Sequence, residues 1–131
     1  MNYSDTQQCF LCGDKNPNGF RMTFRQENGD TVSEAIIPTQ YQGFDGIVHG
    51  GIVASFLDEI MAHAVRKTGQ RAMTGTLTVR FRKPCHTDER IQIRGRIVET
   101  NGRIIKTQGE MIQNEIVVAE GEGIFVITRE K

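Results

Sequence analysis

Apolar and polar residues alternate along the first part of the chain in the manner of a β-hairpin. Met22 and Phe24 alternate with polar neighbours, and the alternation resumes over residues 32–37 after an Asn-Gly-Asp turn at residues 28–30. Two alternating runs joined by such a turn predict paired antiparallel strands. Pro38, which has no backbone N–H to give to a sheet, is expected to end the second strand.

The period then changes to that of a helix, which we predict from Gly50 to about Lys67. At about 100° per residue, one side of this segment is an apolar stripe that belongs in a core. The stripe comprises Val53, Phe56, Leu57, Ile60 and Ala64, with Ile52 and Met61 at its edges. The opposite side holds small residues around one acid, namely Gly51, Ala54, Ser55, Asp58 and Ala62. Gly69 follows the basic last turn and predicts the end of the helix.

Strand-like alternation returns over residues 73–83, 91–98, 104–112 and 116–127, with turns at Asn101-Gly102 and near Gln113-Asn114. Four glycines lie inside these strands, where a missing side chain lets a sheet bend sharply: Gly95, Gly109, Gly121 and Gly123. The elements therefore predict an α+β fold. In this fold a curved antiparallel β-sheet, laid out as a meander, wraps around one long central helix.

Length and charge narrow the classes of function. With 131 residues the chain forms one domain, and its 16 basic and 16 acidic residues cancel. A net charge of zero gives no support for nucleic-acid binding, which normally needs a basic excess. The one basic cluster is Arg80-Phe81-Arg82-Lys83. Because no apolar run approaches the roughly 18 residues that span a bilayer and the N-terminus is polar, we expect a cytoplasmic protein that does not bind membranes.

The three cysteines do not predict a disulfide framework, because their number is odd. Cys9 and Cys12 form a C-x-x-C pair, which is half of a four-ligand zinc site. Cys85 and His86 could complete it in principle, but nothing in the sequence brings them near. We therefore interpret Cys9 and Cys12 as small buried residues of an N-terminal loop and predict neither a metal nor a cofactor.

A histidine and two glycines precede the predicted helix in the segment Gly46-Ile47-Val48-His49-Gly50-Gly51. The first N–H groups of a helix lack intrahelical partners, and the helix dipole is positive at that end. A carbonyl oxygen that becomes negative during a reaction would be stabilised there. The segment is therefore interpreted as a site for attack on an acyl group.

The sequence resembles the hotdog-fold thioesterases, in particular the PaaI-like group that hydrolyses acyl-CoA thioesters. Four segments carry the resemblance: Gln42-Gly43-x-x-Gly46-Ile47-Val48-His49-Gly50-Gly51, Leu57-Asp58-Glu59, Leu77-x-Val79-Arg80-Phe81-Arg82-Lys83-Pro84, and Cys9-x-x-Cys12-Gly13 with Asn16-Pro17-x-Gly19. The resemblance covers nearly the whole chain. It divides the chain into an N-terminal cysteine-containing loop segment, residues 1–20, and a hotdog thioesterase domain, residues 21–131.

The resemblance implies a role for each matching position. Asp58, nine positions after His49, corresponds to the general base or nucleophile, and the Gly51 N–H, helped by Gly50, corresponds to the oxyanion hole. Thr74 matches a hydroxyl residue that often assists. His49 itself is as readily structural or substrate-orienting as catalytic. Some relatives bind the thioester carbonyl through an Asn or Gln six positions before the histidine, where this chain has Gly43 with Gln42 beside it.

Glu59 and the basic cluster keep two interpretations each. Glu59 is the second choice for the base, although its four-residue spacing to His63 also suits a surface ion pair. Arg80, Arg82 and Lys83 either hold the phosphates of coenzyme A or form an ordinary charged strand end.

The spacing of the glycines and the acid predicts a homodimer. Gly51 and Asp58 are seven residues apart, about 10 Å along one helix, so one chain can hardly place both on one carbonyl. Two helices running antiparallel across a two-fold axis would bring Asp58 of one beside Gly51 of the other. A dimer of dimers stays open.

Two alternatives to an acyl-CoA thioesterase stay open as well, a hotdog enoyl-CoA hydratase or dehydratase and a non-catalytic acyl-CoA-binding module. Phe44, Phe56, Met61 and Met73 are unranked candidates for the acyl pocket. Neither the acyl group nor the choice between coenzyme A and acyl-carrier protein follows from the sequence.

Overall fold

One helix and six antiparallel strands make up the fold in a computed structural model that describes residues 7–128. The elements are β1 (Arg25–Glu27), β2 (Asp30–Ile36), a 3₁₀ turn (Thr39–Tyr41), α1 (Gly50–Arg66), β3 (Ala72–Phe81), β4 (Arg90–Asn101), β5 (Ile104–Gln113) and β6 (Ile116–Ile127). Residues 1–6 of the predicted N-terminal segment and residues 129–131 of the predicted domain lie outside the described range. The predicted α+β fold, a curved sheet around one central helix, is confirmed.

The sheet order is β1-β2-β4-β5-β6-β3, which differs from a simple meander. Of the strands that follow α1, β4, β5 and β6 pair in sequence order, whereas β3 pairs with β6 and forms the far edge of the sheet. The opening hairpin is confirmed, with β2 pairing on its other side with β4. The last hairpin turns at Asn114-Glu115, one residue later than predicted, and both residues have positive φ. Alternation predicts strands but not which strands pair, because every strand here offers the same period.

The apolar stripe of α1 lies in the core as predicted. Phe56, Leu57 and Ile60 are fully buried against the sheet. Met61 was predicted at the edge of the stripe, yet it is also fully buried, because the sheet curves around that side of the helix. Among residues 7–128, the structure contains no helix that is both long enough and apolar enough to cross a membrane.

A row of three glycines allows α1 to approach the sheet. Gly95 pairs with Gly109 and Gly109 with Gly121, so the three lie side by side across β4, β5 and β6. A Cβ atom on Gly95 would lie 3.0 Å from the carbonyl oxygen of Ile60, and one on Gly109 or Gly121 would lie 3.2 Å from the Met61 side chain. The glycines therefore form a shallow trough that the helix fills. Close approach of the helix is a reason for glycine at these positions beyond sheet bending.

The N-terminal segment packs onto the same core. Leu11 and Met22 are buried in it, and Cys9 and Phe20 pack against it. Backbone hydrogen bonds from Phe20 to Phe10 and from Met22 to Leu11 connect the two ends of this segment. The segment therefore contributes to the same core as the sheet and helix.

We expect Gly95→Ala to lower the free energy of unfolding by about 1–3 kcal/mol, because the added methyl group meets the helix backbone rather than a movable side chain. Urea unfolding at one protein concentration measures the change. Gly50→Ala is the matched control, since a Cβ there would meet only the Phe81 ring at an ordinary 3.5 Å. Equal stability of Gly95→Ala and the unaltered chain would show that this contact does not set the position of α1.

Candidate active site

A loop held by backbone hydrogen bonds positions the start of α1. The Gly43 N–H donates to Ile47, and the His49 N–H donates to Tyr41. The Gln42 side-chain oxygen accepts from the Gly46 N–H at 2.9 Å, so this predicted substrate-binding amide has a structural contact within the loop. Gly46 has a φ of +73°, the left-handed region that favours glycine.

His49 caps the helix. Its Nδ1 atom accepts the Gly51 N–H at 2.9 Å, which matches the structural interpretation of this histidine and engages the N–H predicted as the oxyanion donor. The Gly50 N–H belongs to the first helical residue, where no intrahelical acceptor is available. Gly50 is also exposed. Of the two glycines, Gly50 therefore presents the more accessible donor in this structure.

A cavity of about 780 Å³ opens beside these glycines. It lies between the loop that precedes α1, the end of β3 and the beginning of β6, and its lining is mainly apolar. The lining residues are Gly43, Phe44, Ile47, Val48, His49, Gly50, Val53, Phe81, Arg82, Lys83, Pro84, Cys85, Val118 and Ala119. An apolar cavity that ends at helix N–H groups can accept an acyl chain with its carbonyl directed at the helix.

Asp58 and Thr74 form a hydrogen-bonded pair at a different place. The Thr74 hydroxyl, on β3, donates to Asp58 Oδ1 at 2.7 Å. Asp58 is half-buried, so its carboxylate is partly desolvated without being sealed in the core. Burial raises the pKa of Asp58, the Thr74 hydrogen bond lowers it, and the charge of Glu59 raises it, with a net rise. A carboxylate with a raised pKa is a better proton acceptor at neutral pH than an ordinary one.

Asp58 and the glycine cavity belong to separate parts of the chain. Neither Asp58 nor Thr74 is among the described residues that line the cavity. Between them runs β3, an edge strand whose side chains are largely exposed on both faces. Its apolar residues Met73, Leu77 and Phe81 are 36–58% exposed. An edge strand with exposed apolar side chains is a surface that another strand can cover.

Glu59, the next residue along the helix, is buried, with 9% of its surface exposed. The predicted ion pair with His63 was therefore wrongly placed on the surface. The predicted partner is present, since His63 Nε2 lies 3.2 Å from Glu59 Oε2. Burial acts to raise the pKa of Glu59, but contacts with His63 and Cys12 outweigh it and the pKa is lowered. Glu59 is therefore an ionised carboxylate in the interior, near the N-terminal segment rather than the cavity.

The residues of the basic cluster lie at two different places on the surface. Arg82 and Lys83 line the cavity, and Arg82 also forms a 2.8 Å ion pair with Glu120 on the neighbouring strand. Arg80 lies beside a small separate hollow with Glu120 and Glu122. Two of the three predicted phosphate ligands thus lie at the cavity mouth.

Of the predicted pocket residues, Phe44 lines the cavity and Met73 lies exposed on β3, whereas Phe56 and Met61 are buried in the core. Phe81, Val118 and Ala119 line the cavity without having been predicted. The position of Val118 and Ala119 depends on the pairing of β6 with β3, for which the sequence carries no local signal. Phe81 could have been suspected from its place directly before Arg82 and Lys83.

The sequence profile of the Thioesterase superfamily matches residues 45–120. This range is more than half of the chain and includes the helix and the end of β3. No curated protein matches the chain.

Solved structures share the fold. A thioesterase superfamily protein is 27% identical, with a TM-score of 0.86 over 92% of this chain, which spans 63% of that protein's length. A phenylacetic acid degradation-related protein from Ralstonia eutropha JMP134 is 21% identical, with a TM-score of 0.75 over 82% of this chain and 85% of its own. A hypothetical thioesterase protein from Streptococcus pneumoniae TIGR4, solved with coenzyme A, is 17% identical, with a TM-score of 0.77 over 84% of this chain and 88% of its own. A hypothetical thioesterase protein from the same strain was also solved with alanine replacing an aspartate or a threonine, two residues that lie 16 apart.

By the family match and by its hotdog fold, the chain belongs to the thioesterase superfamily.

Proposed function

We propose that the chain hydrolyses acyl-CoA thioesters to a carboxylic acid and free coenzyme A, at two equivalent sites between the protomers of a homodimer. The observation that carries the proposal is the hydrogen bond between half-buried Asp58 and exposed Thr74, a pair that lies apart from the glycine cavity of its own chain. The pair can supply a base or nucleophile, and the cavity can supply a place for the acyl group.

Two copies related by a two-fold axis would join these halves. The exposed edge of β3 is a suitable seam, because pairing it with its copy would satisfy its free backbone groups and cover its exposed apolar side chains. The small residues beside Asp58 would let the two helices approach. In such a dimer Asp58 of one protomer faces the first turn of α1 in the other.

The chemistry then follows from the charges. The thioester carbonyl accepts the Gly50 N–H, and the Gly51 N–H when it exchanges its His49 acceptor for the substrate. Asp58 either takes a proton from an attacking water or attacks the carbonyl carbon itself. The tetrahedral oxyanion collapses and the carbon–sulfur bond breaks. When water is the nucleophile, the coenzyme A thiolate takes the proton that Asp58 accepted. When Asp58 is the nucleophile, the thiolate takes a proton from solvent, and water hydrolyses the resulting mixed anhydride to the carboxylic acid and free Asp58.

The relatives support this assignment. The Streptococcus pneumoniae protein was crystallised with coenzyme A. A protein from Streptococcus mutans UA159 was crystallised with acetyl CoA bound. The aspartate and threonine replaced in the Streptococcus pneumoniae protein have the same 16-residue separation as Asp58 and Thr74. At the cavity mouth, Arg82 and Lys83 are placed to contact coenzyme A phosphates.

We expect Asp58→Asn to lower kcat for thiol release by at least about a hundredfold, because the amide can neither accept the proton nor attack. The pKa of Asp58 is higher in the folded chain than in the unfolded chain, so stability falls as the pH rises from the unfolded-state pKa to the folded-state pKa. Asp58→Asn removes this cost and should therefore be at least as thermally stable as the unaltered chain at pH 7. The matched control is Glu99→Gln, which alters an exposed carboxylate on β4 and should leave kcat unchanged. Full activity of Asp58→Asn would exclude Asp58.

The shared site is tested by mixing two inactive variants. Gly50→Pro removes one N–H at a helix position where proline is well tolerated, and should inactivate a homodimer, as should Asp58→Asn. After the two are unfolded and refolded together in equal amounts, half of the dimers are mixed and each has one intact site. We expect about a quarter of the wild-type thiol release, whereas sites within one chain would give none.

Removing the Thr74 hydroxyl should shift the pH profile. Thr74→Val deletes a hydrogen bond that lowers the pKa of Asp58, so the acid limb of kcat/KM should move to higher pH. Thr76→Val, two residues along the same exposed strand, is the control. An unchanged acid limb would show that Asp58 is not the group that titrates.

Lys83→Ala should raise KM for an acyl-CoA about tenfold or more and change kcat little, because a charge-assisted hydrogen bond to phosphate contributes about 1.5–3 kcal/mol. The control is Lys106→Ala on β5, whose ammonium lies 3.9 Å from Glu99. Equal effects on the acyl-CoA and on an acyl thioester without phosphates would remove the phosphate contact from the proposal.

A further inference from the structure

We propose that Cys9, Cys12, Glu59 and His63 form a site for a divalent zinc-like cation that joins the N-terminal segment to α1. The site lies on the side of the helix away from Asp58, takes no part in the proposed hydrolysis and does not depend on it. The sequence suggested half of a zinc site, with Cys85 and His86 as its possible completion. In the structure Cys85 instead packs against Met111, with 3.7 Å between their sulfur atoms.

The ligand atoms are already gathered. The two sulfur atoms of Cys9 and Cys12 and a carboxylate oxygen of Glu59 all lie within 4.8 Å of one another. Donors around tetrahedral zinc, with bonds of about 2.0–2.3 Å, lie about 3.3–3.8 Å apart. A closure of at most about 1.5 Å between any two of these atoms would therefore bring three of the four ligands to bonding positions.

His63 is the candidate fourth ligand; its ring nitrogen is not among the atoms that lie within 4.8 Å of one another, so the ring has to move toward the sulfur atoms. Its Nε2 atom is 3.2 Å from Glu59 Oε2, which is already the separation of two ligands on one zinc ion. Its ring stacks on Phe24 at a centroid distance of 3.6 Å, and this contact holds the plane of the imidazole. Arg66 Nη1 now lies 3.3 Å from the same nitrogen, but Arg66 is exposed and can move aside.

A tight turn presents the two thiols together. The Gly13 N–H donates to the Cys9 carbonyl at 2.9 Å. A Cβ atom on Gly13 would lie 2.4 Å from the Cys9 nitrogen, so no other residue fits without a shift of the turn. The turn thus holds Cys9 and Cys12 close to each other, and two cysteines at this spacing are a common half of a zinc site.

The charge of the pocket also calls for a cation. Glu59 is almost fully buried, and its contacts are the His63 ring, 3.2 Å from Oε2, and the Cys12 thiol. A buried carboxylate whose partners are one imidazole and one thiol is incompletely compensated, and a divalent cation would complete its charge balance. Two thiolates and one carboxylate around a divalent cation leave one net negative charge, which the nearby Arg66 guanidinium offsets.

Zinc content of the full chain tests the site. The chain is loaded with zinc under reducing conditions, passed over a chelating resin and analysed by mass spectrometry for metal. We expect about one zinc per chain, less than a tenth of that in the Cys9→Ser, Cys12→Ser double variant, and full content in Cys85→Ser, the matched control. A folded chain that retains no zinc, or a double variant that retains all of it, overturns the proposal.

Cobalt spectra of the unaltered chain keep the test decisive if the double variant fails to fold. We expect a thiolate-to-cobalt charge-transfer band with the visible bands of a tetrahedral ion, and a loss of affinity of tenfold or more in Glu59→Gln and in His63→Gln. An octahedral spectrum without the thiolate band overturns the site, and so does wild-type affinity in both variants. A chain whose Cys9 and Cys12 form a disulfide even under the reducing conditions, and which takes up no metal, overturns it as well.

Discussion

The close contact between α1 and the glycine row of the sheet is the constraint on which the other features depend. A Cβ atom on Gly95 would lie only 3.0 Å from the Ile60 carbonyl oxygen, so the helix lies at a depth that leaves little room for a side chain there. That depth buries Phe56, Leu57 and Ile60 completely. It also leaves the side of the helix with small residues close to β3, where Thr74 can reach Asp58.

The same packing separates the two parts of the proposed reaction centre within one chain. The first turn of α1 opens into an apolar cavity with Arg82 and Lys83 at its mouth, while the carboxylate paired with Thr74 lies further along the helix. A rigid helix cannot bring its own residues 50 and 58 together. The exposed apolar edge of β3 is the natural place for a second copy, and for this reason the proposed activity and the proposed assembly are one hypothesis.

Two adjacent acids show how position on a helix sets chemistry. Asp58 faces small residues and a hydroxyl, and partial burial raises its pKa. Glu59, about 100° around the helix, is turned toward Cys9, Cys12 and His63, where its pKa is lowered. The first environment suits proton transfer and the second suits a bound cation. Because Glu59 contacts the N-terminal segment and not the cavity, it is poorly placed to act as the base.

The sequence by itself determined the elements, the buried stripe of α1 and the resemblance that singled out Asp58, Thr74 and the diglycine, because period, turn residues and motif spacing are local properties. It also indicated the ion pair of Glu59 with His63, since a four-residue spacing is fixed by the helix. Only the tertiary structure decided that β3 pairs with β6, that Val118 and Ala119 reach the cavity, and that Glu59 rather than Cys85 lies beside the C-x-x-C turn. Those contacts join residues far apart in the chain, and strands that share the same period give no signal of which neighbour they will pair with.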